Sequence, residues 1–322
     1  MSEPRWFHYW SHDERIRSQR EVDCLRPCEE EEIAWEIVDG EVWPEREGAW
    51  EEVHREEDFP GGPVLSIKMM RGGEEEGTTP SLVEYAGWRF LCEPGRITCE
   101  EGKDTSVDFS EIVERVLSPW MVLTRRPGVL ALHGGAVASA DGSRAWVLMG
   151  ESGAGKSTAA LELVRRGMVL LSDDMALIDL GTGRVLPGVW VVRMWGEVDT
   201  TDPLVEGVSV IVGTRGGKHR VRLAHGEVWS KGVELAGLIA LERQPSHDER
   251  GEWQELRGMG AMQCVLGQAF DLSAPPEWWS IRRMRLAGAL LRGGVKLEKC
   301  IYQSSTSGEP AHVEGLWRKF EA

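Results

Sequence analysis

The chain has 322 residues, 41% of them apolar, and a formal net charge of −16. That length suits two domains, or one with a large extension, and the apolar share suffices for packed cores. The acidic balance, concentrated in the first 60 residues, argues against nucleic acid, which needs basic faces, and no apolar run is long enough to span a membrane.

The acidic front reads as a solubilising surface, or as a docking face for a basic peptide or protein. The N-terminus lacks a signal-peptide pattern. Cys24, Cys28, Cys92, Cys99, Cys264 and Cys300 do not have the spacing of a zinc site. They are expected to be reduced thiols of a cytoplasmic protein.

In chain order, residues 1–106 read as a β-rich N-terminal domain, a surface suited to peptide recognition. Ile33–Val38 is a short strand stopped by Asp39-Gly40, and Val64–Met69 is a second, between Gly61-Gly62-Pro63 and Gly72-Gly73. Glu74 to Pro80 reads as a loop. Val83–Leu91 alternates, and Pro94-Gly95 turns it into Arg96–Cys99 as a hairpin. Phe109 to Arg126 reads as a helix capped near Asp108 or Ser110, with Pro119 as a kink point. It leads from the first domain into the second, residues 107–322.

The second domain alternates strands and helices. Val129–Leu132 is a strand ended by His133-Gly134-Gly135, and Ala145–Met149 is another. Then comes Gly150, Glu151, Ser152, Gly153, Ala154, Gly155, Lys156, Ser157 and Thr158, which fits G-x-x-x-x-G-K-[ST]. Small residues let backbone N–H groups close around a polyphosphate. Lys156 supplies charge to the β- and γ-phosphates, and Ser157 a hydroxyl to Mg²⁺. A helix from Thr158 to Arg166 follows, stopped by Gly167. Strand, Gly-rich loop and helix together predict nucleoside triphosphate binding.

Further strands are expected at Met168–Leu171, Val189–Met194, Val208–Val212, His219–Leu223, Leu238–Leu241 and Leu297–Tyr302. Helices are expected at Gly258–Phe270 and at Glu277–Arg292, after Pro275-Pro276. Strands clustered after the loop helix argue for an α/β fold with a mixed sheet.

Asp173 and Asp174 end the strand after the loop helix. A carboxylate at such a strand tip holds Mg²⁺ in related chemistry, and two adjacent ones allow one on the metal and one on the acceptor proton. His133 either orients an aspartate, binds phosphate, or is structural. Arg193 stabilises transferring phosphate or pairs with a carboxylate. Lys218 and Arg220 alternate on one strand and so share a face. They grip nucleotide phosphate or a peptide carboxylate, or line a solvated strand edge.

Leu132-His-Gly134, the Gly150–Ser157 loop, Leu161–Gly167 and Leu171-Ser-Asp-Asp174 together resemble the catalytic domain of HPr kinase/phosphorylase. The resemblance implies a P-loop kinase core of the phosphoenolpyruvate-carboxykinase-like type, acting on a serine hydroxyl. It implies ATP and Mg²⁺ on Lys156 and Ser157, Asp173 as base with His133 nearby, and Asp174 assisting at the metal. It also suggests a homo-oligomer. Where that family has Glu-x-Arg-Gly, this chain has Val191-Val-Arg193-Met194. The resemblance therefore does not carry over the reverse phosphorylase reaction or HPr as acceptor.

The chain is similar over more of its length to HPr-kinase-like tailoring kinases of lasso peptide biosynthesis. The shared stretches are Ile16-Arg-Ser18, Gly87–Leu91, Gly95-Arg-Ile97, Leu130–Val137, Leu186-Pro-Gly188, Arg193-Met-Trp195 and Lys218-His-Arg220. That group implies phosphate transfer from ATP to a precursor-peptide serine, in lasso cases the C-terminal one. Two other readings use the same residues: a small-molecule kinase acting on free serine or a sugar, and a low-turnover nucleotide-binding regulatory protein.

Overall fold

The computed structural model describes residues 5–29, 32–42, 50–57, 64–70, 80–103, 105, 107–210, 218–224, 231–244, 251–270, 276–303 and 311–321. Gly61-Gly62-Pro63, Gly72-Gly73, the expected loop up to residue 79, and Pro275 lie outside them. The chain divides into two units. The first takes Met1–Pro127 with 210–218 and 271–281, and the second takes the remainder.

The first unit carries nine strands: β1 (Phe7–Ser11), β2 (Glu14–Ser18), β3 (Arg26–Pro27), β4 (Trp35–Asp39), β5 (Trp50–Glu57), β6 (Val64–Met70), β7 (Ser81–Tyr85), β8 (Trp88–Glu93) and β9 (Arg96–Glu101). They form one sheet in the order β3-β1-β2-β4-β9-β8-β7-β6-β5. β4 runs parallel to β2 and β9. The β1–β2 hairpin turns on His12 and Asp13, both at positive φ, as a two-residue turn matching strand twist requires. The single strand expected over Val83–Leu91 is instead two, because Ala86 and Gly87 adopt positive φ and fold it into a hairpin.

Alternation places Trp88, Phe90, Cys92, Ile97 and Cys99 in the core, on the face that period-two geometry selects. That core is closed by α1 (Phe109–Ile112), a π-helical segment (Val113–Leu117) and α2 (Ser118–Arg125). The Asp108 carboxylate caps the start, accepting from Ser110 N at 2.8 Å. The kink expected at Pro119 takes the form of that π segment. Proline lacks an N–H and crowds the carbonyl four residues back, and a widened turn accommodates both. Trp120 meets Trp35 edge-on at 5.6 Å and Phe109 meets Trp88 at 5.4 Å. These helices pack with the N-terminal sheet, so the break falls at 127/128 and not at the expected 106/107.

The second unit contains β10 (Val129–Ala138), β11 (Ala145–Met149), α3 (Lys156–Arg165), β12 (Val169–Ser172), β13 (Met175–Asp179), β14 (Arg184–Leu186), β15 (Val191–Trp195) and β16 (Val205–Val210). There follow β17 (Lys218–Leu223), β18 (Val233–Arg243), β19 (Glu252–Leu256), α4 (Gly258–Gln268), β20 (Ala269–Phe270), α5 (Pro276–Arg292, assigned to this unit from Arg282 onward), β21 (Lys296–Tyr302) and α6 (Ala311–Glu321). The main sheet runs β11-β10-β13-β14-β18-β21-β19, with β12 and β20 on β10 and β11 also on β18. β18 is parallel to β11 and β21 while β10 is antiparallel to its neighbours, so the sheet is mixed.

Both faces of this sheet are covered. Val147 and Met149 of β11 join a cluster with Ala261, Val265, Leu286 and Leu290 of α4 and α5. Trp146 and Leu148 join the opposite cluster with Leu161 and Leu163 of α3 and Val313, Leu316 and Phe320 of α6. β11 is buried throughout, as a strand with helices on both sides must be. A separate three-stranded sheet runs β15-β17-β16.

All six cysteines are free thiols. Cys24, Cys92, Cys99 and Cys300 are buried, and burial pushes the thiols of Cys99 and Cys300 up to about 12. No helix among the described residues is long and apolar enough to cross a membrane.

Candidate active site

β11 delivers the chain to the sheet edge, and the Gly-rich loop turns it back into α3. Gly150, Gly153 and Gly155 all take positive φ, which glycine adopts without a Cβ penalty. Gly155 is the N-cap of α3 at φ 78° and ψ 15°. Ala154 N donates to Glu151 O at 3.0 Å, closing the loop on itself. Glu151, Ser152 and Gly153 are exposed, and Ser157 and Thr158 are half-buried on the first turn of α3. The loop leads into the positive end of the ten-residue helix, an arrangement whose backbone N–H groups and dipole favour negative charge.

Lys156 is buried, and its ammonium donates to Gly150 O at 2.7 Å and Glu151 O at 3.1 Å. It also lies 3.3 Å from His133 Nε2. An ammonium has only donors, so His133 Nε2 accepts and the ring proton of a neutral imidazole sits on Nδ1. His133 is half-buried in β10.

The expectation that His133-Gly134-Gly135 ends the strand is overturned, since β10 runs through to Ala138. The glycines there serve clearance. A Cβ on Gly134 would lie 2.5 Å from Leu148 O, and one on Gly135 would lie 3.3 Å from Asp173 Oδ1. β10 pairs with β13 up to His133 and with β12 from Ala136. The Asp173-Asp174 turn sits opposite this gap.

That turn is tight. Met175 N donates to Asp173 O at 2.8 Å, and Asp174 between them has φ 62°. An i to i+2 bond around a positive-φ residue has the form of a rare, strained γ-turn. Gly134 N steadies it by donating to Asp174 O at 3.1 Å.

The two carboxylates have different partners. Asp173 is buried and accepts the Ser157 hydroxyl at 2.9 and 3.0 Å and the Arg193 backbone N–H at 2.8 Å. Asp174 accepts the Arg193 guanidinium at 3.0 Å. Burial, with Asp174 alongside, pushes the Asp173 carboxyl up to about 7 against the lowering pull of Arg193 and Ser157. Of the two sequence readings of Arg193, the geometry displays the carboxylate pair.

His133 and Lys156 thus form one contacting pair, and Ser157, Asp173, Arg193 and Asp174 form a connected set, the two meeting at the adjacent residues Lys156 and Ser157 on the first turn of α3. Lys218 and Arg220 stand on β17, the strand beside the one carrying Arg193, and Leu223 N donates to Trp190 O at 3.0 Å. β17 is the middle strand and Arg220 is buried, which removes the solvated-edge reading for Arg220.

Ser157 and the adjacent carboxylates offer hard oxygens, the donor type Mg²⁺ takes, and such sites use only one or two protein oxygens beside phosphate and water. The residues therefore fit that ion. The carboxylate touching Ser157 is Asp173, whereas Asp174 had been expected to share the metal with it. Among the described residues no group of three or more His, Cys, Asp or Glu side chains gathers as a metal cage.

Two residues beneath the loop went unnoticed in the sequence. Tyr302 Oη donates to Ala154 O at 2.6 Å, and the His312 ring stacks on Tyr302 at 3.7 Å. No protein-family model and no curated protein sequence matches this chain.

Proposed function

We propose that the second unit is an ATP-dependent kinase that transfers the γ-phosphoryl group to a serine hydroxyl of a peptide or protein. The observation that carries this reading is Asp173. It is a buried carboxylate that accepts the hydroxyl of the loop's Ser157 and that burial, with Asp174 alongside, raises to about 7. A motor or switch needs the loop; a hydroxyl kinase needs in addition a base near neutrality.

In this reading the loop amides and Lys156 hold the β- and γ-phosphates. Lys156 exchanges its bonds to Gly150 O and Glu151 O for phosphate oxygens. Mg²⁺, held by Ser157 with Asp174 as the HPr-kinase-like resemblance implies, would neutralise phosphate charge. Asp173 accepts the proton of the attacking hydroxyl, which displaces the γ-phosphoryl group in line from ADP. Arg193 holds Asp174 and, through its backbone, Asp173. His133 accepts from Lys156 through Nε2. The HPr-kinase-like resemblance supports serine as the acceptor, and the lasso-peptide resemblance a C-terminal serine.

The test is ATP consumption with and without a serine-ending peptide, free serine and a sugar, with phosphopeptide read by mass spectrometry. Turnover only with peptide supports the proposal. Turnover with free serine or sugar alone moves it to a small-molecule kinase, and binding without turnover moves it to a regulatory protein. If Asp173 is the base, kcat/KM rises as pH increases through about 7 and then levels. A profile already flat from pH 5 upward would remove that role.

A further inference from the structure

Gly155 turns the loop into α3, and its outer side faces a buried wall. A Cβ at position 155 would lie 2.5 Å from Tyr302 Oη and 4.0 Å from His312 Nε2. Tyr302 closes β21, and its hydroxyl donates to the carbonyl of Ala154, 148 positions earlier. His312 lies in the first turn of α6, is 3% exposed, and stacks on the Tyr302 ring with planes 21° apart. Its Nε2 is buried with no hydrogen-bond partner among the described residues. A buried polar ring thus stands directly behind the loop, at a cost that packing alone would not require.

We infer that Tyr302 and His312 are positioning residues for nucleotide binding. The Tyr302 hydroxyl fixes the Ala154 carbonyl, and the stacked His312 ring holds the Tyr302 ring in place. With that carbonyl tied back, the Ala154–Gly155 peptide is held in one orientation and the following N–H groups point away from the wall. A loop so aimed presents its amides without reordering when a polyphosphate arrives. Burial keeps both rings uncharged, with His312 pushed down to about 4 and Tyr302 up to about 12. The wall therefore adds no charge that would compete with Lys156 for phosphate. Neither residue touches the reacting atoms, so their effect belongs to binding and not to the chemical step.

This inference rests on the loop being a nucleotide site, and the experiment separates the two. ATP and ADP dissociation constants would be measured by calorimetry for the parent chain, Tyr302→Phe, His312→Ala and His312→Phe, together with KM and kcat. Failure of the parent to bind either nucleotide rejects the nucleotide reading itself.

Given parent binding, Tyr302→Phe keeps the ring but loses one neutral hydrogen bond, and is expected to weaken binding about 3- to 10-fold. KM should rise by a similar factor, with kcat at saturation within about twofold. His312→Ala should weaken binding in the same direction, and His312→Phe, which restores a stacking ring, should recover most of it. Parent-like affinity in Tyr302→Phe, or a fall in kcat at unchanged KM, overturns the inference. If Tyr302→Phe does not fold, the His312 pair decides: equal affinities in Ala and Phe overturn it, and recovery by Phe supports it.

Discussion

Replacing Asp173 with Asn is expected to lower phosphoryl transfer by about 10²- to 10⁴-fold while leaving ATP affinity within a few-fold of the parent. The amide keeps the size of the carboxylate and an oxygen for Ser157 or the Arg193 N–H, but it cannot accept the hydroxyl proton. The same substitution has a signature in stability. Folding raises the Asp173 pKa to about 7 from an unfolded value of roughly 4. The folded chain then binds the proton more tightly than the unfolded chain. Stability from this group is fully present below about pH 4 and is lost as pH rises through about 7. At pH 8 the parent carries a charged carboxylate in a buried setting, and Asn removes that cost. The variant should melt several degrees above the parent at pH 8, with the gap closing toward pH 5. Calorimetric melts at both pH values, beside a transfer assay, check both halves. Undiminished transfer would falsify the base assignment.

Gly150→Ala is expected to be the most damaging small substitution in the loop. Its φ of 145° is a region that L side chains rarely adopt, and a Cβ would lie 2.4 Å from Leu241 O in β18. Leu241 is buried in a central strand paired to both β11 and β21, so the carbonyl cannot move aside cheaply. Steric overpacking and backbone strain together should cost roughly 3 kcal/mol or more, a large part of a typical domain's stability. Gly153→Ala is the control. It shares positive φ but has nothing within 4 Å of the added methyl, and about 1 kcal/mol is expected. Denaturant unfolding of the two variants should separate them by at least about 2 kcal/mol. Equal losses would mean the Leu241 contact is unimportant.

The loop was legible because its constraints are local. Glycine spacing encodes the positive φ values at Gly150, Gly153 and Gly155, and Lys156 and Ser157 follow on the first turn of α3. Asp173 and Asp174 were legible as a strand tip, and the structure adds that they divide between Ser157 and Arg193. His133-Gly134-Gly135 misled because paired glycines read as a stop. Their real constraint is the approach of Leu148 O and Asp173, which no nearby residue announces. The Val83–Leu91 run misled in the opposite way, since Ala86 hides a turn inside an alternating pattern.

Tyr302 bonds to a loop about half the chain away and His312 stacks on it, and no spacing rule reaches that far. α6 does carry a local signal: Val313, Leu316 and Phe320 are buried at three- and four-residue steps, the mark of one helical face. β1 gives no clean alternation, since aromatic residues fall on both its faces and Tyr9 is buried between half-exposed neighbours.

The thiols give each unit its own clock. Cys92 and Cys99 lie in the first unit and Cys300 in the second, all buried and all held protonated well above neutral pH. A thiol in that state reacts with an alkylating reagent only when its surroundings open. Pulse alkylation followed by peptide mapping therefore reads the opening free energy of the two units separately, in one unlabelled, unmutated sample. A nucleotide bound to the loop would slow modification of Cys300, through its own unit's stability. The rates at Cys92 and Cys99 would show whether the acidic sheet feels that binding at all, making the resident sulfurs a built-in measure of coupling between the two halves of the chain.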